Sequence, residues 1–169
     1  MTVLVISEND SDSIKPSVLN AIGAAAQLPG DTHLLIAGSG ADTAVENGVK
    51  LEGISKVLYA EAEHFENPVA EDLTALIMSI ASQYTHILAA ATSFGKNVMP
   101  RVAALLDVAQ ISDIVKVESE DVFVRPIYAG NALATVKAND AIKVITVRAT
   151  AFDAISTGGD GVLVERLQA

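Results

Sequence analysis

Residues 71–95 decide the fold of this chain, and they read EDLTALIMSIASQYTHILAAATSFG. The first half carries apolar residues spaced as on one face of an α-helix, namely Leu73, Leu76, Ile77, Ile80 and Ala81. Just upstream, Asn67 and Pro68 are typical of a helix N-cap and first turn. The second half contains His86–Ala91, a nearly continuous apolar run typical of a strand that is buried on both faces. A helix followed at once by such a strand predicts one unit of a parallel α/β sheet.

The same pattern recurs upstream of this stretch. Three further apolar runs predict strands at Val3–Ile6, His33–Ala37 and Lys56–Ala60. Helical spacing at Pro16–Leu28, a weaker helix between Gly40 and Gly53, and a last helix from about Pro100 to Leu106 separate or follow them. The alternation predicts right-handed crossovers and an open sheet covered by helices on both faces over residues 1–107.

The pattern changes after Asp107. Short, closely spaced runs rich in β-branched residues predict antiparallel strands, and they lie at Ile111–Val117, Asp121–Tyr128, Ala132–Val136 and Ile142–Arg148. A glycine-rich turn at 156–161 precedes a last apolar run at Val162–Val164. We therefore expect one domain over residues 1–169, with βα repeats in 1–107, antiparallel strands in 108–150 and a tail in 151–169. The predicted architecture is three-layer α/β/α with a mostly parallel sheet plus C-terminal antiparallel strands.

Composition excludes several classes of function. The 169 residues include 21 acidic and 11 basic side chains, a formal charge of −10 that would repel a nucleic-acid backbone. The absence of cysteine excludes disulfides, thiolate nucleophiles and iron–sulfur clusters within the sequence. The N-terminus has no basic region before its short apolar run, and no apolar stretch approaches the roughly 20 residues that span a bilayer. We expect a bacterial cytoplasmic protein without membrane insertion.

The loop Thr92–Asn97 is the strongest candidate for a ligand site because it follows a predicted parallel strand and leads into a helix. Its hydroxyl and glycine, with the nearby cations, can hold a phosphate; the candidate residues are Ser93, Gly95, Lys96 and Arg101. The structural alternative is that Ser93 caps the helix and that Arg101 pairs with an acidic side chain. Residue chemistry alone favours the structural alternative and leaves the phosphate site open.

A second candidate set lies among the predicted antiparallel strands. It consists of Arg125, Tyr128, Asn131 and Arg148, and arginine and tyrosine are typical of protein–protein contacts. The same residues can also satisfy turns at the edge of the core. Both interpretations have equal support from the residues alone.

Catalysis and metal binding find no support in the residue pattern. The three histidines, at 33, 64 and 86, are not at the spacing of metal ligands on a helix. The sequence has no Gly-x-Ser-x-Gly elbow, no phosphate-binding Walker loop and no recognisable pair of nucleophile and base. We expect a protein without catalytic residues of its own.

Three long stretches carry a resemblance to a known family. They are TSFGKNVMPRVAALLDVAQISD at Thr92–Asp113, RPIYAGNALATVK at Arg125–Lys137 and KVITVRATAFD at Lys143–Asp153. In this order they resemble the alpha subunit of electron transfer flavoproteins. The resemblance implies an electron carrier that pairs with a beta subunit and passes electrons from acyl-CoA and other flavin dehydrogenases to a membrane quinone oxidoreductase.

The resemblance also implies where cofactors lie. In that family FAD is held mainly by the C-terminal domain of the alpha subunit, whereas this sequence ends at Ala169, soon after the glycine-rich turn. We therefore expect an N-terminal scaffold and docking domain with an adenine-nucleotide-hydrolase-like fold, with FAD in the complete heterodimer, none in this chain alone and no FAD-binding residue assigned. The contact surface is expected around Arg125–Asn131. Because TSFGK resembles the remnant of a nucleotide loop, a stand-alone adenine-nucleotide-binding module is the alternative.

Overall fold

The computed structural model describes residues 1–168, which form ten strands and four α-helices joined by short 3-10 turns. The strands are β1 (Thr2–Ile6), β2 (Asp31–Gly38), β3 (Lys56–Glu61), β4 (His86–Ala90), β5 (Gln110–Ile114), β6 (Lys116–Val117), β7 (Val122–Ile127), β8 (Ala132–Lys137), β9 (Lys143–Val147) and β10 (Leu163–Leu167). The helices are α1 (Pro16–Ala25), α2 (Asp42–Gly48), α3 (Ala70–Ile80) and α4 (Ser93–Leu106).

Seven strands form one sheet in the order β10-β3-β2-β1-β4-β9-β5, and all of its neighbours run parallel. Alternate residues of β1 face opposite layers, as the period of a strand requires. Val3 and Val5 pack in the cluster that holds the buried faces of α1 and α2. Leu4 and Ile6 pack in the cluster that holds α3 and α4. The predicted three-layer α/β/α architecture with a mostly parallel sheet is thus confirmed.

The antiparallel part is smaller than the sequence predicted. Within residues 1–168 the antiparallel sheet consists of the three strands β6, β7 and β8. The segments predicted as antiparallel at Ile111–Val117 and Ile142–Arg148 contain β5 and β9, which pair parallel to each other in the main sheet, so that part of the prediction was wrong. Parallel strands need a crossover, usually a helix. Here the antiparallel sheet itself supplies the crossover from β5 to β9, so no helical periodicity marks it.

The predicted tail also contains a strand of the main sheet. β10 pairs parallel with β3 and forms one edge of the sheet. Two ion pairs accompany this pairing, Lys56 Nζ to Glu165 Oε2 at 2.9 Å and Arg166 Nη1 to Glu61 Oε2 at 2.6 Å. The charged pair Glu165-Arg166 interrupts the apolar run, which explains why the sequence predicted only Val162–Val164 as a short run.

Two helices begin at other residues than predicted. Helix α3 begins at Ala70, and Val69 rather than Asn67 takes the N-cap position, without a side-chain hydrogen bond. Helix α4 begins at Ser93, about two turns before the predicted start, and contains Pro100 in its interior. A proline there removes one backbone N–H and disfavours a helix, which is why the sequence placed the start too late.

Candidate functional site

The first candidate site is the edge of the main sheet where β1 and β4 end side by side. The chain runs from β1 to β2 on one side and later to β4 on the other, so the strand order reverses at this point. Open parallel sheets bind ligands beyond the strand ends at such a reversal. We call the residues that follow β1 and β4 there, Glu8 and Ala91–Lys96, the switch-point rim.

The N-terminus of α4 at this rim is satisfied by the chain's own side chains. Thr92 is the N-cap residue, and its Oγ1 accepts a hydrogen bond from the Gly95 N–H at 3.3 Å. The same hydroxyl donates to Glu8 Oε2 at 2.7 Å. A carboxylate therefore lies where a bound phosphate would approach the helix, and it lowers the affinity of the rim for anions.

Gly95 has a packing role at this position. A Cβ on Gly95 would lie 2.0 Å from the carbonyl oxygen of Ala90, which is far inside any real contact. The glycine lets α4 pack directly against the end of β4. This close approach explains the residue without a ligand.

The predicted phosphate-binding residues do not converge. Ser93 is the first residue of α4 and is exposed, while the hydroxyl that caps the helix belongs to Thr92. Arg101 lies more than a turn further along and contacts Glu71, with Nη1 at 3.3 Å from Oε1. Lys96 is exposed and borders a cleft of about 340 Å³ together with Thr92 and Arg148. The structure thus brings Lys96 next to a residue of the other predicted set and leaves Arg101 elsewhere.

Arg148 in that cleft is already paired. Its Nε donates to Asp113 Oδ1 at 3.2 Å, and its Nη2 contacts the other oxygen of the same carboxylate. These hydrogen bonds to Asp113 raise the pKa of Arg148. Asp113 has a left-handed backbone with φ of 59°, and its N–H donates to Thr146 Oγ1 at 2.8 Å. Sequence reasoning missed Asp113, and only its tolerance for that backbone conformation could have marked it.

The second candidate site is the antiparallel sheet β6–β8. Phe123 on β7 is fully buried and packs in the same cluster as α1 and α2, so this sheet is anchored to the domain. Arg125 donates from Nε to the carbonyl of Ser112 at 2.8 Å, which joins β7 to β5. Beyond Arg125 the two long strands extend to an exposed end, residues 127–133, which we call the hairpin tip.

The hairpin tip presents apolar side chains on a strained backbone. Tyr128 is 81% exposed, Leu133 67% and Ile127 40%. Tyr128 and Ala129 both have φ of 51°, followed by Gly130 at 88°. The side chain of Asn131 donates from Nδ2 to the Tyr128 carbonyl at 3.1 Å and holds this turn. Non-glycine residues in the left-handed region raise the energy of the backbone, and such strain is concentrated at binding and catalytic sites.

A buried histidine attaches the antiparallel sheet to the main sheet. His86 is fully buried at the start of β4, and its Nε2 lies 2.7 Å from the carbonyl oxygen of Glu120 in the turn before β7. A carbonyl only accepts, so Nε2 carries the proton and Nδ1 faces the Thr85 hydroxyl at 2.9 Å. Burial lowers the pKa of His86, although the bond to Glu120 acts in the opposite direction. Sequence reasoning noted this histidine only as a strand residue.

The described part of the chain contains neither a cluster of potential metal ligands nor a membrane-spanning helix. Within residues 1–168 no three acidic or histidine side chains lie together as metal ligands would. None of the helices in that range has the length and apolar character needed to cross a bilayer.

Comparisons with known proteins agree on one family. The electron transfer flavoprotein domain matches residues 3–168. An electron transfer flavoprotein alpha subunit from Bradyrhizobium diazoefficiens is 52% identical over 169 residues, which cover 100% of this chain and 54% of that protein. The alpha subunit from Pseudomonas aeruginosa is 47% identical over 167 residues, 99% of this chain and 54% of its own length. The mitochondrial alpha subunit of Dictyostelium discoideum is 45% identical, with 94% and 47% covered. The chain spans about half the length of the relatives it matches.

Proposed function

The chain belongs to the electron transfer flavoprotein family, and we propose that it is the N-terminal docking domain of an alpha subunit in that family. In this proposal the domain binds the beta subunit and supports a C-terminal half that holds FAD. The complete heterodimer would take electrons from acyl-CoA and other flavin dehydrogenases and deliver them to a quinone oxidoreductase, in the bacterial cytoplasm. The domain contributes rigidity and contact surface rather than catalytic groups.

The observation that carries the proposal is the exposed aromatic at the hairpin tip. An 81% exposed tyrosine on a left-handed backbone is costly for an isolated domain, both in solvation and in strain. Tyrosine has a large apolar ring, few rotatable bonds and a hydroxyl, which is why it is frequent among the residues that dominate interface energies. Ile127 and Leu133 extend the apolar surface beside it.

The charge around the hairpin supports the same function. Residues 122–137 contain Arg125 and Lys137 but none of the 21 acidic side chains of the sequence. The rest of the protein carries a strong negative charge, which would repel an acidic partner over most of the surface. The hairpin is therefore a surface that a partner can approach without that repulsion.

A binding experiment tests the proposal. The purified chain is titrated into the beta subunit of the same organism by isothermal titration calorimetry, and the full-length alpha subunit is titrated in parallel. We expect saturable binding of the chain, weaker than that of the full subunit because fewer contacts form. The chain is titrated at concentrations that would detect an affinity about 100-fold lower than that of the full subunit. If the full subunit binds and the chain gives no heat of binding under these conditions, the docking assignment fails.

A further inference from the structure

A cleft of about 350 Å³ lies between β5 and the end of β8, apart from both the switch-point rim and the hairpin tip. Apolar atoms of Ile111, Val136 and Ala138 form much of its wall. Arg125, Lys137 and Asp140 supply its charged groups. Four apolar and five polar or charged residues line it. Small-molecule sites combine apolar walls with polar groups that fix the orientation of the ligand.

Arg125 is exceptional among the arginines. The sequence has four, and three of them pair with carboxylates: Arg101 with Glu71, Arg148 with Asp113, and Arg166 with Glu61 and Asp42. Arg125 is partly buried, and within residues 1–168 no carboxylate lies within 4.0 Å of its guanidinium. In a protein with ten excess negative charges, a partly buried guanidinium without a carboxylate is unexpected.

The position of Arg125 is fixed by one of its nitrogens. Nε donates to the Ser112 carbonyl at 2.8 Å, and this is the hydrogen bond that the guanidinium makes within the described residues. Two terminal nitrogens therefore stay available, and they form the fork that binds a carboxylate with two parallel hydrogen bonds. Holding the guanidinium in place beforehand reduces the entropy that a ligand must overcome.

The other charged groups of the cleft are committed. Lys137 Nζ lies 3.1 Å from Asp121 Oδ2. Asp140 Oδ2 accepts the N–H of Ala109 at 3.0 Å. A second unmet polar group is present: the side-chain Oε1 of Gln110 is buried and has no hydrogen-bond partner, while its Nε2 donates to Ser112 Oγ at 2.9 Å. The unused donors of the cleft are therefore those of Arg125, because the buried Gln110 Oε1 is an acceptor and does not bind a carboxylate.

We propose that this cleft binds a small monocarboxylate with an apolar body, whose carboxylate pairs with the guanidinium of Arg125 while the body contacts Ile111, Val136 and Ala138. A charged, bidentate hydrogen-bonded pair anchors the ligand, and the apolar wall favours an aromatic or short aliphatic acid over acetate. The site does not depend on the proposed docking function.

Nuclear magnetic resonance of the isotopically labelled chain tests the site with benzoate as the probe and benzamide as its uncharged counterpart. We expect saturable shifts of the amide signals around 109–111 and 136–140, with a Kd on the order of 1 mM for a ligand of this size. Benzamide should bind at least about tenfold more weakly because it cannot form the charged pair. Equal affinity for the two probes, or shifts that do not saturate, would overturn the proposal.

Two variants and a control locate the anion. Arg125→Gln should weaken benzoate binding at least about tenfold, whereas Arg101→Gln, the same change on α4, should leave it unchanged. Since Arg125→Gln also removes the bond to Ser112, a second variant keeps the charge: Ala138→Leu fills the cleft and should weaken binding at least about fivefold. Unchanged affinity in Ala138→Leu, or in a folded Arg125→Gln protein, contradicts the site.

Discussion

The switch-point rim and the antiparallel sheet differ in how far the chain satisfies its own groups. At the rim, Thr92 caps α4 and binds Glu8, and in the cleft beside the rim Arg148 is paired with Asp113. On the antiparallel sheet, Tyr128 projects into solvent and Arg125 has no carboxylate partner within residues 1–168. The rim pairs its polar groups within the chain, whereas the antiparallel sheet leaves side chains available to bind a partner or ligand.

This difference shows that a location typical of ligand sites is not enough to make a region available for binding. The rim has the location at which open parallel sheets bind ligands, yet its helix terminus faces a carboxylate of the same chain. The antiparallel sheet is a crossover that replaces a helix, and it carries the exposed apolar residues. The fold therefore indicates the candidate positions of a binding site, and the side chains at each position determine whether it binds.

The largest effect is expected at Gly95. Gly95→Ala places a Cβ about 2.0 Å from the Ala90 carbonyl oxygen, so α4 has to move away from β4. We expect the free energy of unfolding to fall by about 3 kcal/mol, measured by urea denaturation.

The matched control for Gly95 is Gly40→Ala. Its Cβ would meet nothing within 4 Å, so only the positive φ of 61° opposes the change. We expect a loss of about 1 kcal/mol there. A Gly95→Ala protein as stable as the Gly40→Ala protein would show that α4 does not need a glycine to pack against β4, and the packing explanation of Gly95 would fail.

A smaller effect is expected at the hairpin tip. Tyr128→Ala should weaken binding of the chain to the beta subunit by about 2 kcal/mol, or roughly thirtyfold in Kd, as for a central aromatic of an interface. Because the side chain is 81% exposed, thermal stability should stay the same. Calorimetric titration measures the first quantity and a melting curve the second.

Lys96→Ala is the control for Tyr128→Ala, because Lys96 is also exposed but belongs to the switch-point rim and not to the hairpin tip. Its affinity for the beta subunit should equal that of the wild type. Should Lys96→Ala weaken binding more than Tyr128→Ala, the docking surface lies at the rim instead.

The sequence predicted the buried strands better than their connections. Continuous apolar runs marked β1 to β4, because a strand covered by helices on both faces needs apolar residues throughout. The run that became β9 has the same character, whereas β5 contains Ser112 and Asp113 and is only partly buried. Short β-rich segments between the two suggested hairpins, and sequence alone does not show which strands become neighbours. β10 was concealed by Glu165 and Arg166, whose partners lie on β3 and α2, more than 100 residues away.

The sites were predictable to different degrees. Residue types indicated Lys96 as a candidate anion-binding residue and Tyr128 as a candidate interface residue. Both are exposed, and their roles stay predictions. The carboxylate of Glu8 at Thr92 and that of Asp113 at Arg148 are long-range contacts, and they determine whether the rim is available. No local pattern encodes them, so the choice between a structural and a binding role needed the fold.

The attachment of the antiparallel sheet should depend on pH through His86. Burial lowers the pKa of His86 from its usual 6.5, so the unfolded chain takes up this proton at a higher pH than the folded one. The stabilising contribution is complete above about pH 7 and is lost as the pH falls below 6.5 towards the lowered folded pKa. We expect the free energy of unfolding to fall on acidification in this window.

The His86 effect can be separated from that of other groups. The pKa of His33 is also lowered, mainly by burial and by Lys56, and it contributes with the same sign. In His33→Gln, part of the change in the free energy of unfolding with pH should therefore remain. His86→Asn should remove that remaining part and also lower stability at neutral pH. Lys143, Glu120 and the N-terminus also act on His86, so the comparison is made at constant ionic strength. If the free energy of unfolding changes with pH by the same slope in His86→Asn and in the wild type, the pH dependence comes from other groups.

The smallest effect is expected for nucleotide at the rim. A stand-alone adenine-nucleotide module would give saturable binding of AMP that Lys96→Ala abolishes. Since the carboxylate of Glu8 accepts from Thr92 at the start of α4, a phosphate would have to displace it or lie beside a like charge. We expect calorimetry with millimolar AMP to give no saturable heat for either protein.

Glu8→Gln removes the repulsion and keeps an acceptor for Thr92, so any weak affinity should emerge in that variant and weaken again when Lys96→Ala is added. Saturable binding by the wild type would instead make the rim the functional region and reverse the comparison.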